Sequence, residues 1–201
     1  MNSQQQNAST SRIAAYLVRF VVLQNQFQLK LGKAFAWLAL LLVMLSAAIV
    51  ILRYGFQSGS IALQETVLYI HAIFFMMGMA FTLQQDGHVR VDVFYSRLSP
   101  RHQAMIDLFG GLVFALPAML FILWIGWDYV SDSWVIHESS AEAGGLAFLY
   151  LLKSFILIMA ALMTLQILAM ISLAFSQIVY PKHPEVIRLL AHQQHQKEAA
   201  F

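Results

Sequence analysis

The chain has 201 residues, 60% hydrophobic and 11% charged, with 12 Lys and Arg against 10 Asp and Glu. So apolar a balance exceeds what a soluble domain of this length carries and selects the membrane class. With no cysteine, disulfides, iron–sulfur clusters and thiolate metal sites are excluded.

Residues 1–11 are rich in Gln, Asn and Ser and have too little apolar content to order a backbone, so they are expected to be disordered. Residues 12–33 read as an amphipathic interfacial arm. Ile13, Leu17, Phe20, Phe27 and Leu31 share one helical face, while Arg12, Arg19, Gln26, Lys30 and Lys33 share the other, the pattern of a helix lying in a membrane surface. This segment lacks the short apolar core and small-residue cleavage site of a secretory signal, so the first helix is expected to be retained.

Four apolar runs follow, at residues 34–53, 62–83, 104–127 and 146–175. The first three are about the length that crosses a bilayer core, roughly 20 residues, and the fourth exceeds it and must tilt or protrude. Backbone groups in lipid must be satisfied within the segment, and runs this long exceed barrel strands, so they are helices. The expected fold class is all-α integral membrane: four transmembrane helices, an N-terminal amphipathic interfacial helix, and a cytoplasmic tail over residues 176–201.

Orientation follows from the cations, since positive loops stay in the cytoplasm. The N-terminal segment carries Arg12, Arg19, Lys30 and Lys33, the loop after the second span Arg90, Arg97 and Arg101, and the tail Lys182, Arg188 and Lys197. The loop after the third span carries Asp128, Asp132, Glu138 and Glu142 without a cation. Both termini are therefore expected in the cytoplasm. Trp37 toward one face, and Trp124, Trp127 and Trp134 toward the other, fit interfacial anchors.

Loop 84–100 is the densest polar segment. Val89, Val93, Phe94 and Leu98 recur at helical spacing against Arg90, Asp92 and Arg97, predicting a short amphipathic helix, and Ser99-Pro100 predicts a cap and first residue for the third span. Its lone Gly87 makes no phosphate-cradling loop, no nucleic-acid partner is expected, and its cations suit anionic lipid heads or a protein contact.

Ionisable residues in or beside spans are candidates for function because an unpaired charge in lipid costs at least about 2.5 kcal/mol. Arg53 closes span one and Asp107 opens span three, where both are able to snorkel. Glu65 opens span two, facing either Arg53 or a partner. Lys153, flanked by apolar residues, calls for a carboxylate in this chain or another subunit. His71 is the one histidine well inside a span and reads as a hydrogen-bonded packing residue. Gln64, His71 and Gly78, spaced by seven, form a stripe suited to a helix interface. Gly111 with Ala115, and Ala160 with Thr164, are general packing signals. No residue set suggests a catalytic, cofactor-binding or metal site; His192 and His195 are too few for one.

Carriers are often built from internal repeats around a midplane site. Neither a repeat nor polar company for Pro117 is evident, so an autonomous transporter is not expected. A haem-binding membrane anchor of a respiratory oxidoreductase is the alternative, but it needs axial histidines on facing helices, and His71 has no such partner here. A proton-coupled multidrug exporter would have to use Glu65.

The chain resembles the small membrane subunit (DctQ-like small permease) of the TRAP, or tripartite ATP-independent periplasmic, transporters. The resemblance rests on Arg53-Tyr54, Gln64-Glu65, Gly87-His88-Val89-Arg90-Val91-Asp92 and Leu98-Ser99-Pro100-Arg101. Residues 134–146, followed by Leu151-Leu152-Lys153-Ser154, are similar to a subgroup often assigned to organic-acid uptake. The resemblance implies a heteromeric, sodium-driven importer in a bacterial inner membrane. A large multi-span subunit would hold the solute and sodium sites, a periplasmic binding protein would deliver the solute, and this chain would brace the large subunit among membrane lipids. It implies no enzyme activity and no cofactor here, and it makes Arg53, Glu65, Arg90 and Asp92 contact residues. The acidic loop 128–142 would touch the binding protein.

Overall fold

The computed structural model describes residues 3–85, 95 and 97–198, which are mainly helical with no strand among them. Helix α1 runs Ser3–Gly55, α2 Ile61–Gln84, α3 Pro100–Val135, α4 Leu149–Val179 and α5 Pro184–Glu198. Among the described residues four helices, α1 to α4, are long and apolar enough to cross a membrane. The protein is an all-α integral membrane protein.

Local chemistry marks the starts of α2 and α3. Ser60 caps α2, its hydroxyl accepting from the Leu63 amide at 3.3 Å, as N-cap serines do. Ser99 and Pro100 take the cap and first positions of α3, but the Ser99 hydroxyl bonds His102 Nδ1 at 2.7 Å instead of the helix. Within α3, residues Gly111–Ala115 widen into a π turn, and the Leu116 amide bonds back to the Gly111 carbonyl. Pro117 supplies the reason: it has no N–H to give, and its ring would strike the carbonyl four residues back in a regular helix. Between residues 33 and 34 there is no break; α1 is one continuous helix of 53 residues, about 80 Å long.

Contacts divide the chain into two units. The first comprises Met1–Phe27, His88–Ala118 and Leu165–Phe201. In it Ala14, Val18 and Val21 of α1 are buried, whereas Ile13 is exposed, so the arm packs through a stripe of small residues and leaves Ile13 of its larger apolar face outward. Gln166 of α4 donates to Asn25 Oδ1 at 3.1 Å. Gly111 lies so near α4 that an added Cβ would come 2.9 Å from Ile171 Cγ1. Asp107, expected to reach water, accepts from the Tyr95 hydroxyl at 2.7 Å.

The second unit comprises Gln28–Gly87 and Met119–Thr164. Gly32 of α1 lies against Phe81 of α2, where an added Cβ would fall on the ring. The fully buried Gln28 amide donates to the Leu162 carbonyl of α4 at 3.4 Å. Ala160 is also fully buried, and Thr164 donates to its carbonyl at 2.7 Å. This unit carries most of the candidate contact residues.

Candidate functional site

The connection from α3 to α4 is a built loop. His137 (φ 46°) and Gly144 (φ 83°) take left-handed backbone. Ser140 donates its amide to the Leu146 carbonyl at 2.9 Å, and Gly145 to that of Glu142 at 3.0 Å. Gly145 is required by space, since a Cβ there would lie 2.7 Å from Ser140 Cβ and 2.8 Å from Glu65 Oε1.

Two carboxylates fasten this loop. Glu65, in the first turns of α2, receives the Ser140 hydroxyl on Oε1 and the Leu146 amide on Oε2, the latter at 2.6 Å. Its carboxylate is thus committed to the loop, not to Arg53, which sits exposed in the last turn of α1. There the Arg53 charge complements the negative end of the helix dipole. Glu138 is ion-paired with Lys153 of α4, whose ammonium also lies over the Tyr129 ring, 4.1 Å from its centroid. The carboxylate that Lys153 called for is therefore within the chain, fifteen residues away. The hydrogen bond from Lys153 holds the Glu138 carboxyl below the usual carboxylate range. Trp134 completes the seam, donating Nε1–H to the Ser154 hydroxyl at 2.8 Å and packing edge-on against Tyr150. Asp128, Asp132 and Glu142 stay exposed, giving the loop region an acidic surface.

A second feature lies on α2. Gln64, Leu68, His71 and Phe75 are all exposed, while Met77 and Ala80 are buried. His71 stacks on Phe75 with ring centroids 4.8 Å apart. A shallow groove beside Gln64 is lined by Ser46, Ile49, Val67 and Leu68. The Gln64–His71 stripe is thus an outward face of its unit, and among the described residues His71 faces no second histidine. Among the described residues no group of three or more His, Asp or Glu is placed to hold a metal ion.

Arg90 and Asp92, the Gly87 to Asp92 motif that contains them, and the short amphipathic helix expected around Val89 and Val93 lie outside the described residues. Sequence reasoning missed Gln24, Gln28 and Gln166, which are buried, with Gln24 Nε2, Gln28 Oε1 and Gln166 Oε1 lacking a partner. Amides interrupting apolar helical stretches were the available signal, the same one that singled out Gln64.

A model of the family described as "Tripartite ATP-independent periplasmic transporters, DctQ component" matches residues 41–177. No curated protein and no solved structure matches the chain. The family match takes in α2, α3, the fastened loop and nearly all of α4, well over half of the chain, and the protein belongs to the DctQ-component family of the tripartite ATP-independent periplasmic transporters.

Proposed function

We propose that this small TRAP subunit is a brace: it holds a large multi-span subunit in the bacterial inner membrane while that subunit carries out sodium-coupled import of an organic acid or related small solute. The observation that supports this best is how the ionisable groups near the spans are used. Glu65 and Lys153 are both consumed in fastening one loop, and a carrier would need such groups free to bind and release an ion or solute. Substrate and sodium sites then belong to the large subunit, and this chain needs no cofactor and performs no catalysis. The fastened loop, with Asp128, Asp132 and Glu142 exposed, presents a firm acidic surface for a periplasmic solute-binding protein. On this reading both termini lie in the cytoplasm, a topology supported by the distribution of cations. Arg53, Arg90 and Asp92 remain contact candidates of the same assembly.

Reconstitution tests the reading. Vesicles containing this chain with its large subunit and binding protein should take up solute on a sodium gradient, and vesicles lacking this chain should not. Uptake by this chain alone would refute it.

A further inference from the structure

The exposed face of α2 sets a problem that the fastened loop does not. Gln64 and His71 make no hydrogen bond through their side chains within the described chain, and both point outward. Gln64 is near the start of α2, but His71 is ten residues beyond Ile61, about 15 Å along the axis. No lipid headgroup reaches that depth, and acyl chains offer neither donor nor acceptor. Desolvating an imidazole there without a partner is unfavourable, so the face is built for a protein that brings one.

We infer that the Gln64–Leu68–His71–Phe75 face of α2 is the seat of a transmembrane helix of the large subunit, with a hydrogen-bonding side chain of that helix level with His71. This rests on the small-subunit reading above and adds the surface used. Three observations define the fit. The groove formed by Ser46, Ile49, Gln64, Val67 and Leu68 gives the incoming helix a lateral wall. Stacking on Phe75 fixes the imidazole plane, which makes its hydrogen bond directional. Gly78, one turn beyond Phe75, has nothing within 4 Å of an added Cβ, leaving room for close approach of a second backbone, as membrane helix pairs require.

The chain contains no cysteine and so offers a clean background, but the decisive probe is photocrosslinking. Benzoylphenylalanine would be placed at Leu68 or Phe75, with Phe121 of α3 and Ile158 of α4 as exposed apolar controls, in the complex co-expressed with the large subunit. The expected result is an adduct of this chain with the large subunit from positions 68 and 75 and none from the controls. His71→Leu should weaken retention of the large subunit by about 3- to 20-fold, the range of single interhelical hydrogen bonds in membranes, and His71→Gln should recover part of the loss. An adduct of two copies of this chain would overturn the inference in favour of self-association. Absence of adducts at 68 and 75 while the large subunit still co-purifies would overturn it too, leaving the small-subunit reading intact. Failure of the wild-type chain to retain the large subunit at all would refute both.

Discussion

Gly145→Ala isolates the fastening of the outer loop without touching either carboxylate. The new methyl carbon would lie 2.7 Å from Ser140 Cβ and 2.8 Å from Glu65 Oε1. Its nearest neighbour is Ser140 Oγ at 2.5 Å, and ordinary contact begins near 3.4 Å, so the loop must give by about 0.9 Å where Ser140 meets Glu65. Overpacking of this kind costs about 1–3 kcal/mol, and local opening should therefore rise roughly 5- to 150-fold. Hydrogen exchange of the protein in lipid nanodiscs reads this directly at three amides: Ser140, Gly145 and Leu146, bonded to Leu146, Glu142 and Glu65 respectively. Gly59→Ala, with nothing within 4 Å of the added carbon, should leave these rates unchanged. If Gly145→Ala exchanges within a factor of two of wild type at all three amides, the loop is not held as described.

Other outcomes follow from the same packing. Because Glu138 titrates below its ordinary value near 4.5, its contact with Lys153 contributes fully above that pH. The contribution is lost as pH falls through the lowered value. Limited proteolysis of the loop from pH 7 to pH 3 should therefore show an acid limb that is shallower in Glu138→Gln than in wild type; identical limbs would contradict the pairing. Gln28→Met removes a fully buried acceptor that has no partner at the cost of one long bond, so thermal stability in detergent should be unchanged or higher; a clear drop would mean that Gln28 holds something within the fold. Gly32→Ala should destabilise by about 1–3 kcal/mol because its methyl meets the Phe81 ring. Adding Phe81→Ala should recover part of that loss, and strict additivity of the two losses would exclude the contact.

The four spans were legible because about 20 apolar residues in a row have few other destinations. The need of Lys153 for a carboxylate was legible for a related reason, since an ammonium with apolar neighbours must find one. Which faces turn inward was not legible: lipid is as apolar as a core, so hydrophobic periodicity fades in a membrane helix. Exposed Phe75 and buried Met77 on α2 look alike to any hydropathy scale. Nor was the role of Glu65, whose partners Ser140 and Leu146 are 75 and 81 residues away and meet it only once three helices are in place. For the arm, the side that packs carries Ala14, Val18 and Val21, because small residues let helices approach closely.

The π turn in α3 coincides with the close contact that α3 makes with α4 in the first unit. Gly111, the first residue of the turn, is buried, and an added Cβ there would lie 2.9 Å from Ile171 Cγ1. A π turn widens the backbone, and a side chain at its first position would push Ile171 away. Pro117 and Gly111 thus act as one device: the proline imposes the wide turn, and the glycine lets the widened backbone sit against its neighbour.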